Sequence, residues 1–191
     1  YGVTRVSVNP QTLNDNVLAD IGRKHTAEDT KNAFGLARSV GFTNINVDLM
    51  SGLPNQTLEQ YEDSLQKIVA LGAEHISAYS LIVEEGTPFY KMYEEDALPL
   101  PDEDTEREMY DLTEKLLGEK GYARYEISNY ALPGYECRHN QVYWTRGEYL
   151  GLGLGAASMV GESRWNNESD MAQYKARIEE GRQVADKALL S

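Results

Sequence analysis

Apolar and polar residues alternate from Ile45 to Met50. Ile45, Val47 and Leu49 fall on one face, and Asn46, Asp48 and Met50 on the other. A period of two predicts a strand. Gly52 and Pro54 end it, since Gly permits unusual backbone angles and Pro has no amide hydrogen to continue a ladder. Asp48 then stands on the polar face just ahead of a strand-to-helix turn, where α/β barrels hold ligands. A solvated acid at a strand end is the plain alternative.

The rest of the chain is patterned around this run. Val3 to Val8 is a β-branched strand closed by Asn9-Pro10, with Gln11 immediately beyond. Asn14 or Asp15 caps a short helix to about Gly22, and Arg23-Lys24-His25 follow. Thr26 opens a helix to Val40, with acids in its first turn and Gly41 as its stop. Gln56-Thr57 caps a third helix, residues 58–71, whose buried stripe is Leu58, Tyr61, Leu65, Ile68 and Leu71. His75 to Ile82 is another strand. Strand, helix and strand joined by short connections predict βα units and a parallel sheet. Three such units amount to part of a barrel or to a small open sheet.

After Glu84 the pattern changes. Glu84 to Pro88 reads as a turn, and the acidic, proline-containing stretch 94–101 as a linker. Residues 102–121 form a helix with Met109, Leu112, Leu116 and Leu117 on one face. Residues 125–130 read as a strand, 133–134 as a turn, 165–169 as a polar turn and 171–180 as a short helix. Gly151, Gly153 and Gly155 alternate with leucines without the G-x-G-x-x-G spacing of a dinucleotide loop. They read instead as a segment that a ligand or another backbone approaches closely. The division expected is residues 1–93, the barrel part, and 94–191, a small α+β region.

Composition narrows the function. A net charge of −13 over 191 residues argues against nucleic acid and anionic membranes. No apolar run reaches the ~20 residues of a spanning helix. The single Cys137 excludes an internal disulfide and points to a reducing, cytoplasmic compartment. It also cannot alone ligate an iron–sulfur cluster. The chain starts within an apparent strand, so a longer protein is expected.

Two sets of side chains could carry chemistry. Gln11, Arg23 and Asp48 offer an amide, a guanidinium fork and a carboxylate near the ends of neighbouring strands. The fork suits a carboxylate, and the acid suits hydroxyls or an ammonium group. A structural Arg23–Asp48 ion pair is the rival reading. The second set is His139, Asn140, Tyr143 and Trp144, beside Cys137 and Arg138. It could ligate iron and stack on a flat ring. The rival there is a buried histidine beneath an aromatic cluster. His25 and His75 are isolated and read as surface or packing residues. No Ser/His/Asp order, H-E-x-x-H or P-loop is present, so hydrolase and kinase readings find no support.

Several motifs occur in order: Arg5-Val-Ser-Val-Asn-Pro-Gln11, Gly22-Arg-Lys-His-Thr26, Gly41-Phe-Thr-Asn-Ile-Asn-Val-Asp48, Gly52-Leu-Pro-Asn-Gln-Thr57 and His75-Ile-Ser-Ala-Tyr-Ser80. Glu84-Glu-Gly-Thr-Pro88, Tyr125-Glu-Ile-Ser-Asn129, Glu136-Cys-Arg-His-Asn140 with Tyr143-Trp144, and Gly147-Glu-Tyr-Leu-Gly151 follow. Over residues 1–165 the chain resembles the oxygen-independent coproporphyrinogen III oxidase family of radical S-adenosylmethionine (SAM) proteins. His139-Asn140-x-x-Tyr143-Trp144 points to its haem-chaperone branch. The resemblance implies the C-terminal half of a partial (β/α)6 barrel followed by a small α+β region, with SAM and a 4Fe–4S cluster as cofactors. It implies a tetrapyrrole, haem or coproporphyrinogen III, as partner, and a haem-accepting protein. By motif position Gln11, Arg23 and Asp48 match residues that hold SAM, Ile82 and Ala157 match positions near its adenosine, and His139 matches a haem-associated histidine. The oxidative decarboxylation of coproporphyrinogen III is the alternative function. The cluster motif C-x-x-x-C-x-x-C and the family's glycine motif are absent, and Asn9-Pro10 replaces the usual Gly-Val before Gln11. No metal ligand or catalytic residue is therefore carried over, and this chain alone is expected to be inactive.

Overall fold

The computed structural model describes residues 2–185 and the backbone of 188 and 189. It divides into two compact units, residues 1–136 and 137–191. The first unit therefore continues past the 93/94 division read from the sequence.

In the first unit, β1 (Val6–Gln11), β2 (Ile45–Ser51) and β3 (His75–Ser80) run parallel in that spatial order. Helices α1 (Asp15–Asp20) and α2 (Ala27–Ser39) join β1 to β2, and α3 (Leu58–Leu71) joins β2 to β3. This is the α/β class expected. The helix starts follow their sequence signals. Thr26 with Asp29, and Thr57 with Gln60, form reciprocal capping boxes. Gly72 ends α3 with φ 74°, in the left-handed region that favours glycine.

The apolar face of β2 makes the core. Ile45, Val47 and Leu49 are fully buried and pack with Phe34 of α2 and with Tyr61, Leu65 and Ile68 of α3. A polar clamp closes the bottom of this layer. Arg38 meets Glu74 at 2.5 Å and also donates to the carbonyls of Phe42 and Gly72. Glu74 in turn accepts the Ile45 amide at 3.0 Å. One ion pair thus ties the end of α2 to the starts of β2 and β3.

A short helix, α4 (Pro88–Glu94), and a long one, α5 (Glu103–Glu119), follow. Helix α5 buries Met109, Leu116 and Leu117 in the same core, and Tyr61 and Thr113 bond hydroxyl to hydroxyl at 2.6 Å. That packing extends the unit beyond the acidic linker. The sheet gains β5 (Asn129–Ala131), antiparallel to β3, and β4 (Ala123–Arg124) beyond it. Residues 125–130 were expected to be one strand. Instead the chain reverses there: the Tyr125 amide donates to the Asn129 carbonyl and the Ser128 amide to Glu126.

In the second unit, α6 (Arg138–Trp144) precedes an antiparallel sheet of β6 (Ala157–Val160), β7 (Ser163–Asn166) and β8 (Ala188–Leu189). Helix α7 (Met171–Glu179) lies between β7 and β8 in sequence. The expected polar turn at 165–169 is corrected, since Trp165 and Asn166 belong to β7. The glycine-rich stretch behaves as its composition suggests. A Cβ on Gly151 would lie 2.2 Å from the Ala157 carbonyl, so another backbone fills the space a side chain would need.

Leu65→Ala removes a fully buried side chain between α3 and β2. It is expected to cost ~2–5 kcal/mol in denaturant unfolding. A loss below ~1 kcal/mol would contradict this packing.

Candidate functional site

The opposite face of the parallel strands is polar. Register sets Ser7, Asn46 and His75 side by side across β1, β2 and β3. It sets Asp48, Ser77 and Asn129 side by side across β2, β3 and β5. Paired residues on neighbouring strands share a face, so these side chains gather opposite the helix-covered layer. Asn46, His75, Ser77 and Asn129 are buried, and Asp48 is half-buried.

Burial of so many polar groups is tolerable only if they bond one another. The Asn46 side-chain amide donates to Asp48 Oδ1 at 2.6 Å and to Ser7 Oγ at 3.2 Å. Its carbonyl accepts from Ser77 Oγ at 3.1 Å and lies 2.6 Å from His75 Nδ1. The other ring nitrogen of His75 lies 2.8 Å from the Tyr125 hydroxyl, with the two rings edge to face at 5.6 Å. Burial, assisted by the charge of Arg5, pushes the His75 imidazolium pKa down to about 3. His75 is therefore neutral at neutral pH. Its Nδ1–H donates to Asn46, and its Nε2 accepts from Tyr125.

The residues singled out in the sequence fall as follows. Gln11 is the last residue of β1 rather than the first beyond it. It pairs with Leu49, the neighbour of Asp48, after a register irregularity. Its φ is 74°, and its side-chain carbonyl oxygen is buried without a partner. Arg23 is exposed in the α1–α2 connection. Among the described residues Arg23 and Asp48 form no ion pair, and Asn46 holds the carboxylate instead. Asn55, just past β2, donates to Asp20 at 2.9 Å and so ties α1 to the end of β2. Ile82 is 77% exposed. It lines a cavity of about 540 Å³ together with Asp20, Ile21, Gly22, Val83 and Phe89. Gln11, Arg23 and Asp48 are not part of that lining, so these three residues do not share this hollow.

Ala157 and His139 belong to the second unit. Ala157 pairs with Asn166 in its sheet. His139 is exposed on α6, which rules out the buried-histidine reading. Its Nε2 is 2.8 Å from the Tyr143 hydroxyl, and their rings meet edge to face at 4.9 Å. Tyr143 meets Tyr149 the same way at 4.7 Å, and Trp144 is 56% exposed. The helix presents a histidine and open aromatic surface together.

The residues present do not fit an iron–sulfur cluster. Cys137 is the one thiol and is buried. Among the described residues no three His, Cys, Asp or Glu side chains converge. Among them, too, no helix is long and apolar enough to cross a membrane.

The model of the radical SAM superfamily matches residues 1–68. This segment belongs to the radical SAM superfamily. The chain is 43% identical over 173 residues to the haem chaperone HemW of Bacillus subtilis, covering 91% of this chain and 46% of that protein. It is 37% identical over 172 residues to HemW of Lactococcus lactis, covering 90% and 45%. It therefore spans about half the length of these curated relatives. The solved structure of the radical SAM enzyme coproporphyrinogen III oxidase (HemN) from Escherichia coli superposes over 100% of this chain and 46% of its own, with a TM-score of 0.81 at 22% identity. The radical SAM segment thus carries that fold, as part of a barrel, and the chain resembles the haem-chaperone branch.

Sequence reasoning missed Asn46, Ser77, Tyr125 and, above all, His75, which reads as an isolated packing residue. The available signal was parity: Asn46 and Asp48 share a strand face, and His75 and Ser77 share the corresponding face of the next.

His75 should leave a mark on stability. Its pKa is depressed in the fold, so below pH ~6.5 the unfolded chain takes up a proton that the folded chain refuses. Stability is expected to be intact above that pH and to fall by up to ~1.4 kcal/mol per pH unit towards pH 3. Denaturant unfolding at pH 7.5, 6 and 5 reads this slope, and His75→Gln should flatten it. Equal slopes in the two proteins would contradict the burial of a neutral imidazole.

Proposed function

We propose that this chain is part of a radical SAM protein that handles haem, as the chaperones it resembles are named for. The observation that carries this reading is the exposed pair His139–Tyr143 on α6, beside the open Trp144 ring. A histidine nitrogen ligates haem iron, and flat aromatic surface stacks on a tetrapyrrole. Iron taken at Nε2 displaces the Tyr143 hydroxyl. Delivery to a haem-accepting protein would be the task of the whole protein, in the cytoplasm.

In this reading the polar ends of the strands hold SAM. Arg23 suits its carboxylate as a planar fork, and its exposure leaves the fork available. Asp48 accepts from ribose hydroxyls or an ammonium group. Gln11 brings a buried carbonyl oxygen that lacks a partner, and such an atom gains most from a ligand donor. Ile82 supplies apolar surface for the adenosine. When bound to a reduced 4Fe–4S cluster, SAM supplies a deoxyadenosyl radical; these residues do not hold such a cluster, so radical chemistry belongs to the parent protein.

A haem titration tests the proposal. The wild-type chain should shift the Soret band at micromolar protein, and His139→Ala should bind at least ~10-fold more weakly, as loss of an iron ligand implies. With no Soret shift in the wild type the chaperone reading fails. Protoporphyrinogen formed anaerobically from coproporphyrinogen III by the longer parent protein would then support the oxidase reading.

A further inference from the structure

We propose that His75, as its Nδ1–H tautomer, is a positioning residue that sets through Asn46 which way the Asp48 carboxylate faces. The inference rests on the reading of Asp48 as a ligand-holding residue.

The argument starts from what each group can do. A carboxylate accepts and does not donate. The Asn46 atom 2.6 Å from Asp48 Oδ1 must therefore be the NH2 group. An amide has nearly the same shape when flipped, so sterics alone do not choose its orientation. Its surroundings do. Ser77 Oγ–H and His75 Nδ1–H donate to the Asn46 carbonyl, while Ser7 Oγ accepts from the amide nitrogen. The two hydroxyls can rotate to suit either orientation. The imidazole cannot, because its proton sits on one nitrogen or the other. In the opposite tautomer a bare Nδ1 would face the Asn46 oxygen at 2.6 Å, lone pair against lone pair. Nor could the amide flip to escape, because its oxygen would then face the acceptor-only carboxylate, so Asn46 and with it Asp48 would be driven from their places.

The Asp48 carboxylate accepts only, so it turns the Asn46 oxygen towards Nδ1 and thereby calls for the proton on that nitrogen. The Tyr125 hydroxyl, 2.8 Å from His75 Nε2, then serves the bare nitrogen as donor. The order of donation runs Tyr125 to His75 to Asn46 to Asp48, from the β4–β5 hairpin to β2. Its end point is functional rather than architectural. Asp48 Oδ1 is taken, while Oδ2 has no protein partner among the described residues. The device thus presents one oriented oxygen to a ligand that donates, such as a ribose hydroxyl or an ammonium group. A half-buried acid needing only solubility would not require a three-residue chain behind it.

The test combines imidazole nitrogen-15 spectra with ligand binding on the full 191-residue chain. Two-bond proton–nitrogen correlations should show His75 protonated at Nδ1 and bare at Nε2. The reverse pattern would overturn the proposal. His75→Asn keeps an N–H donor near the Nδ1 position, whereas His75→Leu removes it. In calorimetric titration with SAM, His75→Asn should stay within ~3-fold of wild type and His75→Leu should weaken ~10-fold, the scale of a hydrogen bond to a charged group. The Asn46 side-chain amide resonance should move only in His75→Leu. Tyr125→Phe, at the sheet edge, is a second variant that spares the buried imidazole; it should leave the proton on Nδ1 and SAM binding within ~3-fold of wild type, and a loss as large as that of His75→Leu would overturn the proposal. Equal losses in His75→Asn and His75→Leu with an unmoved Asn46 resonance would reduce His75 to packing and overturn the proposal. If wild type binds no SAM while the tautomer and the Asn46 resonance behave as expected, the SAM assignment of Asp48 falls and the positioning of its carboxylate stands.

Discussion

Asp48 accepts hydrogen bonds and donates none, and it is half-buried on a sheet. That combination constrains everything near it. A carboxylate removed from water needs donors, and Asn46, two residues earlier on the same strand face, provides one at 2.6 Å. Asn46 is itself buried, so its carbonyl must be satisfied, and His75 and Ser77 from β3 satisfy it. His75 then needs a partner for its second nitrogen, which Tyr125 supplies. Each member is intelligible only through the next. Ser7, Asn46, Asp48, His75, Ser77 and Tyr125 form one connected network rather than a set of separate contacts, while Asn129 Oδ1 on the same face is buried without a partner.

The other face follows the opposite logic. Ile45, Val47 and Leu49 carry no polar atoms and are sealed by α2, α3 and α5. Close packing on one face and a hydrogen-bonded polar network on the other give β2 its two roles. The helices hold the strands in register, and register carries Ser7, Asn46 and His75 to the same level. The Arg38–Glu74 pair, which also caps the Ile45 amide, helps fix that level at the start of the strands. A one-residue slip of β2 would send Asp48 into the apolar layer.

Much of this was legible in the amino-acid order. The alternation of 45–50, the capping threonines 26 and 57 and the glycines after the helices predicted the parallel units, because each is a local signal. The hairpin at 125–128 and the short helices α4 and α6 were not legible: seven-residue helices carry too little periodicity to stand out from turns. Gln11, Arg23 and Asp48 were found by residue type and motif. Their surroundings were not. Arg23 stays free of Asp48, and Ile82 lines a cavity from which all three are absent. The partnership of His75 with Asn46 depends on which strand lies beside which, 29 residues apart, and no local pattern records that. His139 was recognisable as a ligand candidate, whereas its exposure is a property of the folded second unit.

The central claim is that the polar ends of the parallel strands receive one nucleoside ligand. Backbone amide spectra of the nitrogen-15-labelled chain, followed during titration with SAM, test it most directly. The account predicts shifts concentrated at Gln11, at Gly22 and Arg23, at Asp48 to Gly52 and at Ile82, saturating together with one affinity. Shifts scattered over the helix-covered face, or separate affinities for these segments, would contradict it.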